Sequence, residues 1–482
     1  MKIVDFGASG TIVSAVKKYR DFISPTYGPA GKKILIPGRA IDDGKIASQE
    51  FELENEHENQ VIAYIKETTA KTDERVGDGT TTAAIIMSEI VTSVLEPENE
   101  FVNVPHPHTE VLSLKKGVQE AVSQIKKLSK KIKTKEELCA VAYNSYNNEE
   151  AAKLISDTLF TIGDTGSISV HDSHAMITDC EIGQGLEIDK GFISPYLINK
   201  EDRVSLEDPA IVLIGQKVNS FNDLLPTIKL ILEGGNKEFV IIAESFGDEA
   251  IAGVIINRMK GIFTPLLVEA PGYGDRKLEL LEDIAAVTGA KVLDPKKGDS
   301  FEKVSKDIFG SAKSVISKKD STVLIGGKGT KKSIEERISF IEKTTSKESK
   351  YDLEKAKERI AALSGGVAVI RVGAPTENEQ KAIKAKIEDA VNATKAAFKH
   401  GVVPGAGVTL QSLNTSSKTL NKALEVPRKV LEENGKQFLD EKVHDPTQVL
   451  IASLETAVSI ASELIEVSAI VSEKRKKEER GY

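Results

Sequence analysis

The run Val76-Gly77-Asp78-Gly79-Thr80-Thr81-Thr82-Ala83 gathers residue types that handle phosphate. Two glycines let a backbone come close to a ligand. Three hydroxyls follow, where the apolar stretch from Ala83 to Met87 predicts that a helix begins. The free N–H groups and positive dipole end of such a start suit an anion. Asp78, between the glycines, is a candidate ligand for Mg2+, a hard cation that favours one or two carboxylates plus phosphate oxygens. The run is not a P-loop, because no Gly-Lys-Ser/Thr follows. Taken alone, such a run is more often an ordinary helix N-cap loop.

A second carboxylate, Asp389, sits in a helical pattern that puts Ile383, Ile387, Val391, Thr394 and Phe398 on one face. At 100° per residue Asp389 points well away from that face. Two readings stay open. It is either an exposed acid paired with Lys386 three residues earlier, or the carboxylate that aligns water for phosphoryl transfer, a reaction that needs mostly positioning and charge neutralisation.

The elements that must hold these residues follow from periodicity. Residues 9–23 carry one apolar helical stripe, and helical patterns dominate to about residue 130. The middle differs. Short apolar runs at 211–214, 239–242, 266–268 and 291–293 alternate with helical patterns at 222–232, 248–260 and 276–288. That alternation predicts parallel βαβ units in an α/β domain. Helical periodicity returns from about residue 380. A chain of 482 residues suggests about three domains. The net charge of −8 and pI near 5.7 give no reason to expect nucleic acid. No uninterrupted apolar run approaches the ~18 residues of a membrane span, so no membrane partner is expected. The residues from Met1 to Gly7 lack a signal-peptide stretch. Two cysteines, Cys139 and Cys180, do not make a disulfide framework. Together these features predict a reduced, cytoplasmic protein.

Seven further motifs stand in a telling order: Thr26-Tyr27-Gly28-Pro29-Ala30-Gly31, Asp43-Gly44, Gly191-Phe192-Ile193-Ser194-Pro195-Tyr196, Pro271-Gly272-Tyr273-Gly274-Asp275-Arg276, Gly365-Gly366-Val367-Ala368-Val369-Ile370, Glu388-Asp389-Ala390, and Gly401-Val402-Val403-Pro404-Gly405-Ala406-Gly407. With the Gly-Asp-Gly-Thr run, this set resembles the group I chaperonins, the GroEL family, over nearly the whole chain.

The resemblance implies a multidomain α and α/β fold. An equatorial domain would use residues 1–127 and 400–482. An intermediate hinge domain would use 128–183 and 368–399, and an apical domain would be the insert 184–367. It implies ATP and Mg2+ as cofactors, with K+ as an admissible further cation. Thr26, Gly28 and Pro29 would lie beside the phosphates. Asp78 would ligate the metal, and Gly79, Thr80, Thr81 and Thr82 would hold the triphosphate. Asp389 would position the attacking water with Asp43 in support. Gly405 and Ala406 would face the ribose and base, and Asp445 matches the family's Asp before Pro. Unfolded polypeptides and a co-chaperonin would bind through Phe192, Tyr196, Leu197, Leu225, Ile228, Ile251, Ile255 and Ile256, whose other reading is ordinary core. A homo-oligomeric ring is implied.

The chain also departs from the family. Asp42 replaces a lysine before the Asp-Gly, and Ala406 replaces the central glycine of a Gly-Gly-Gly. The stretch from Val408 to His444 is short and lacks the segment that meets the adenine. The stretch from Pro29 to Asp43 is several residues shorter than the family's hairpin. If Ala406 needs positive φ, its methyl costs ~1–2 kcal/mol. These features leave two functions to weigh: an ATP-dependent folding protein, or a non-hydrolysing holdase or scaffold with a weakened nucleotide site. A small-molecule kinase has no visible acceptor site. Gly326-Gly327-Lys328-Gly329-Thr330 reads as a turn. His171, His174 and Cys180 lack a fourth ligand for zinc.

Overall fold

The computed structural model describes residues 2–36, 39–41, 44–76, 78–96, 106–173, 175–200, 203–274, 276–294, 298–299, 304–345, 350–438 and 443–473. Two compact units make up the chain, one from residues 1–157 and 385–482, the other from residues 158–384.

The first unit is helical. Its centre is the pair Thr80–Leu95 and Thr447–Glu466, both nearly all apolar. The helices Ala8–Ile23, Glu56–Val76, Pro107–Leu128 and Lys418–Gly435 surround that pair, each turning an apolar stripe inward. Thr447–Glu466 is long and apolar enough to cross a membrane by length and composition, a feature the sequence reading did not anticipate. In the fold 72 % of its apolar stretch is buried, so it serves as a core helix. Three short antiparallel pairings complete the unit. Lys2–Asp5 pairs with Ile470–Glu473, Ile34–Ile36 with Arg39–Ile41, and Val402–Pro404 with His444–Pro446.

The second unit is built on one ten-stranded mixed sheet. Its parallel part contains Ala210–Val218, Glu238–Phe246, Thr264–Glu269 and Val292–Leu293. The helices Phe221–Glu233, Asp248–Met259 and Arg276–Thr288 connect them. This is the alternation expected from the apolar runs, which are continuous because these strands are covered on both faces. The sheet continues through Gly310–Ser317 and Thr322–Gly327 into Asp179–Ile188, Gly366–Val372 and Ser167–Asp172. The domain boundaries expected at 183/184 and 367/368 therefore fall inside the paired strands Asp179–Ile188 and Gly366–Val372.

Candidate functional site

The phosphate-handling run lies in the first unit. Gly79 caps the helix Thr80–Leu95 at φ 90°, in the left-handed region, and no side chain caps that helix start. A Cβ at Gly79 would collide with the Ser453 hydroxyl, which donates to the Gly79 carbonyl at 3.0 Å. Glycine is required there for both reasons. The first-turn N–H groups have no intrahelical acceptor, which leaves a local positive end at Thr80–Thr82.

Other segments close on this helix start. The Thr82 hydroxyl donates to the Tyr27 hydroxyl at 3.0 Å. Asn434 donates from one amide to the Ser24 carbonyl at 2.8 Å and the Tyr27 carbonyl at 2.9 Å. Those bonds fix the loop that carries Thr26, Gly28 and exposed Pro29. Gly44 stands against the hydroxyls of Thr81 and Thr26. From the far end of the chain, Asp445 pairs in register with Val403, and the Gly405 N–H donates to the Val443 carbonyl at 2.7 Å. A Cβ on Gly405 would strike the Asp445 carboxylate. Ala406 lies in the left-handed region at φ 52°, and Arg428 donates to its carbonyl at 3.0 Å.

Asp78 and Asp445 sense each other. Burial, and then the negative charge of Asp78, push the Asp445 carboxyl up to about 7. The Tyr27 phenol is pushed up by burial, with both carboxylates adding to it, while its bond from Thr82 acts the other way. The Gly79 N–H donates to Asp78 Oδ1 at 2.5 Å, and carboxylates beside a helix start are a residue combination that suits a hard divalent cation with an anion bound to it. Among the described residues no three His, Cys, Asp or Glu side chains cluster to hold a metal by themselves.

Asp389 is half-buried on the helix Glu377–His400. Its neighbours Ile387, Ala390 and Val391 face the core. Ala396, two turns onward and on the same stripe, packs against Val449 and Ala452, one turn from Ser453. Asp389 therefore stands about 10 Å along its helix from that contact. Lys386 lies over the ring of Tyr146, 5.8 Å from its centre. Asp43, Asp42, His174 and Asp275 lie outside the described residues.

The expected polypeptide-binding positions lie in the second unit and divide in two. Leu197 is fully buried and Ile228 is 3 % exposed. Both are core, which corrects their assignment to the surface: Leu197 closes a short 3-10 turn, and Ile228 faces inward beside Leu224 and Ile231. Phe192, Ile251 and Ile255 are partly buried against the same core, and Leu225 is half-buried. Tyr196 is 70 % exposed and Ile256 52 %. Met259, at 75 %, and Ile262 extend the exposed apolar surface, although the sequence reading missed both. The i, i+3 spacing of Ile256 and Met259 was the available signal.

Tyr27, Arg428, Asn434 and Ser453 were also missed in sequence. Tyr27 lies inside the motif Thr26-Tyr27-Gly28-Pro29-Ala30-Gly31. The other three are single polar residues on distant helices and carry no local signal.

A family model described as the TCP-1/cpn60 chaperonin family matches residues 20–437. Two solved structures of the chaperonin gp146 from the bacteriophage EL 2 (Pseudomonas aeruginosa), crystallised in the presence of ATP-BeFx, share the fold. One crystal form gives a TM-score of 0.70 at 18 % identity, covering 98 % of this chain and 100 % of that one. The other gives 0.66 at 19 % identity, covering 98 % and 99 %.

Proposed function

The chain belongs to the TCP-1/cpn60 chaperonin family, and from that premise we propose that it binds non-native polypeptides and promotes their folding under the control of ATP. The observation that carries the nucleotide part is the convergence of Thr26, Tyr27 and Gly44 on the helix start at Thr80–Thr82, which no side chain caps. Asp78 would hold Mg2+, which when bound neutralises phosphate charge and orients the terminal phosphoryl group. The N–H groups and hydroxyls of Thr80–Thr82 would bind phosphate oxygens. Tyr27 and Asn434 fix the neighbouring loop. Asp389 would align the attacking water, with Asp43 in support. The phage chaperonin crystallised with an ATP analogue supports this reading.

The exposed apolar group Tyr196, Ile256, Met259 and Ile262 would take up client segments. A division into equatorial, intermediate and apical parts, and assembly into a homo-oligomeric ring, follow from the family. Exposed Leu35 on the hairpin Ile34–Ile36/Arg39–Ile41, and exposed Phe6 beside Lys2–Asp5, fit surfaces covered by a neighbouring copy. A co-chaperonin and a cytoplasmic setting belong to the same proposal.

The left-handed φ of Ala406 favours a second reading, a holdase whose nucleotide site is weakened. One experiment separates the two. Purified protein is assayed for Mg2+-dependent ATP hydrolysis beside its native mass and its suppression of client aggregation. Hydrolysis lost in Asp78→Ala supports the first reading. Suppression of aggregation with no nucleotide binding supports the second.

A further inference from the structure

The helix Glu377–His400 belongs to both units, which divide between Lys384 and Ala385. It runs unbroken for 24 residues and contains neither glycine nor proline, so nothing in its sequence invites a kink. Asp389 lies on its first-unit part. The second-unit part is held by side chains that the chemistry proposed above does not use.

Gln380 donates from its amide nitrogen to the carbonyls of Ser173 and Val372, both at 2.6 Å. Those carbonyls mark the ends of two neighbouring strands, Ser167–Asp172 and Gly366–Val372, which pair in parallel. One turn onward, the Lys384 ammonium donates to the Asp172 carboxylate at 2.6 Å. The two side chains are 18 % and 16 % exposed, so solvent screens this pair less than one on the open surface. Asp172 is anchored in turn, because Arg203 donates to its carbonyl at 2.6 Å. Gln380 and Lys384 stand four apart and share one helix face. Three hydrogen bonds therefore pin a single turn of that face to two adjacent strand ends.

Asp389 is five residues beyond Lys384. That places it about 7.5 Å along the axis and ~140° around it, away from the pinned face. An intact helix passes a shift or rotation of one turn on to the next. A misplacement of about 1 Å at a reacting centre can cost ~10²-fold in rate.

We propose that Lys384 and Gln380 are positioning residues for Asp389, fixing the height and rotation of its carboxylate through the helix they pin. Their role rests on the proposal above that Asp389 aligns water. Neither side chain is assigned a contact with nucleotide, so both should govern turnover and spare binding.

Single-turnover hydrolysis, equilibrium Mg-ATP binding and urea denaturation of the full-length protein test this. Wild type is compared with Lys384→Met, Lys384→Arg, Gln380→Leu, Asp389→Ala and the double variant Lys384→Met with Asp389→Ala. Lys384→Met should slow hydrolysis about tenfold to a hundredfold while affinity stays within about threefold. Lys384→Arg keeps a cation on Asp172 and should stay within about threefold of wild type in both. The double variant should be no slower than Asp389→Ala alone, because Lys384 acts through Asp389. Gln380→Leu should show the same split, and it carries the test should Lys384→Met misfold. Wild-type turnover in Lys384→Met and Gln380→Leu overturns the proposal. So does a parallel loss of turnover and affinity, or a double variant slower than Asp389→Ala. Asp389→Ala alone decides the underlying assignment: hydrolysis that survives it sinks the role of Asp389, and the positioning role with it.

Discussion

Arg428 donates a hydrogen bond to the carbonyl oxygen of Ala406 at 3.0 Å, and Ala406 holds φ at 52°. Among the described residues only Asp208 shares positive φ without being glycine. Three residues of one helix thus touch two separate loops: Arg428 grips the Ala406 loop, while Leu431 backs onto Gly28 and Asn434 grips the Tyr27 carbonyl. The helix Lys418–Gly435 sets the spacing between those loops.

Ala406→Gly should therefore stabilise the protein by about 0.5–1 kcal/mol, because glycine adopts the left-handed region without the methyl clash. Arg428→Ala should lower nucleotide affinity about fivefold to tenfold, by freeing the loop. The two changes should be non-additive, since both act on one backbone segment. Thermal melts and nucleotide titrations of both single variants and the double variant check this. Strict additivity in affinity would show that Arg428 does not act through Ala406.

Asp389→Ala and Asp78→Ala should separate turnover from binding. Loss of a carboxylate that aligns water should cut turnover by about 10²–10⁴ while Mg-ATP affinity stays within threefold. Loss of the metal ligand should weaken Mg-ATP binding itself. Single-turnover hydrolysis beside equilibrium binding makes the distinction. Equal loss of both in Asp389→Ala would place that residue in contact with the nucleotide instead.

The helix start after Gly79 was legible because its signal is local: two glycines, one acid and three hydroxyls precede an apolar stretch within a few residues. The parallel strands were legible because burial on both faces leaves unbroken apolar runs such as Val240-Ile241-Ile242. Ser453 was not, since it meets Gly79 across 374 positions and is one serine on an apolar helix. Leu197 and Tyr196 show the other limit. Adjacent apolar residues in a 3-10 turn point opposite ways, one to the core and one to solvent, and no period of 2 or 3.6 applies to three residues.

Ile256→Ser with Met259→Ser should abolish capture of an unfolded client while shifting stability by less than about 1 kcal/mol, because both side chains are mostly exposed. Ile228→Ala is the control. It removes a core side chain and should cost about 2–5 kcal/mol. Aggregation suppression and chemical denaturation together decide the matter. Full client capture by the double variant would move the binding surface away from this helix.

His171 makes acid stability testable. It lies on the strand Ser167–Asp172, 3 % exposed, and neither ring nitrogen has a hydrogen-bond partner among the described residues. Burial, and then the positive charges of Lys318, Arg203, Lys384 and Arg371, push its imidazole down to about 2 from an ordinary 6.5. Lys384 and Arg203 also face Asp172, at 2.6 and 3.8 Å, so the acid beside His171 is already engaged. The folded form keeps His171 neutral, whereas the unfolded chain takes up a proton below pH 6.5. Its contribution is therefore complete above pH 6.5 and declines as the pH falls towards 2. The slope approaches about 1.4 kcal/mol per pH unit, or roughly 2 kcal/mol lost by pH 5. Burial alone would raise the Glu181 carboxyl, but hydrogen bonds from Lys313 and Arg371 outweigh it and hold it low. Glu181 thus adds a parallel decline only below about pH 4.5, outside this window. His171→Leu should be at least as stable as wild type at pH 7.5 and should lack about 2 kcal/mol of the fall between pH 7.5 and 5. Urea denaturation at several pH values reads this directly, followed by a probe in the second unit. Parallel stability curves for the two proteins would mean that His171 takes up its proton without unfolding the sheet around it.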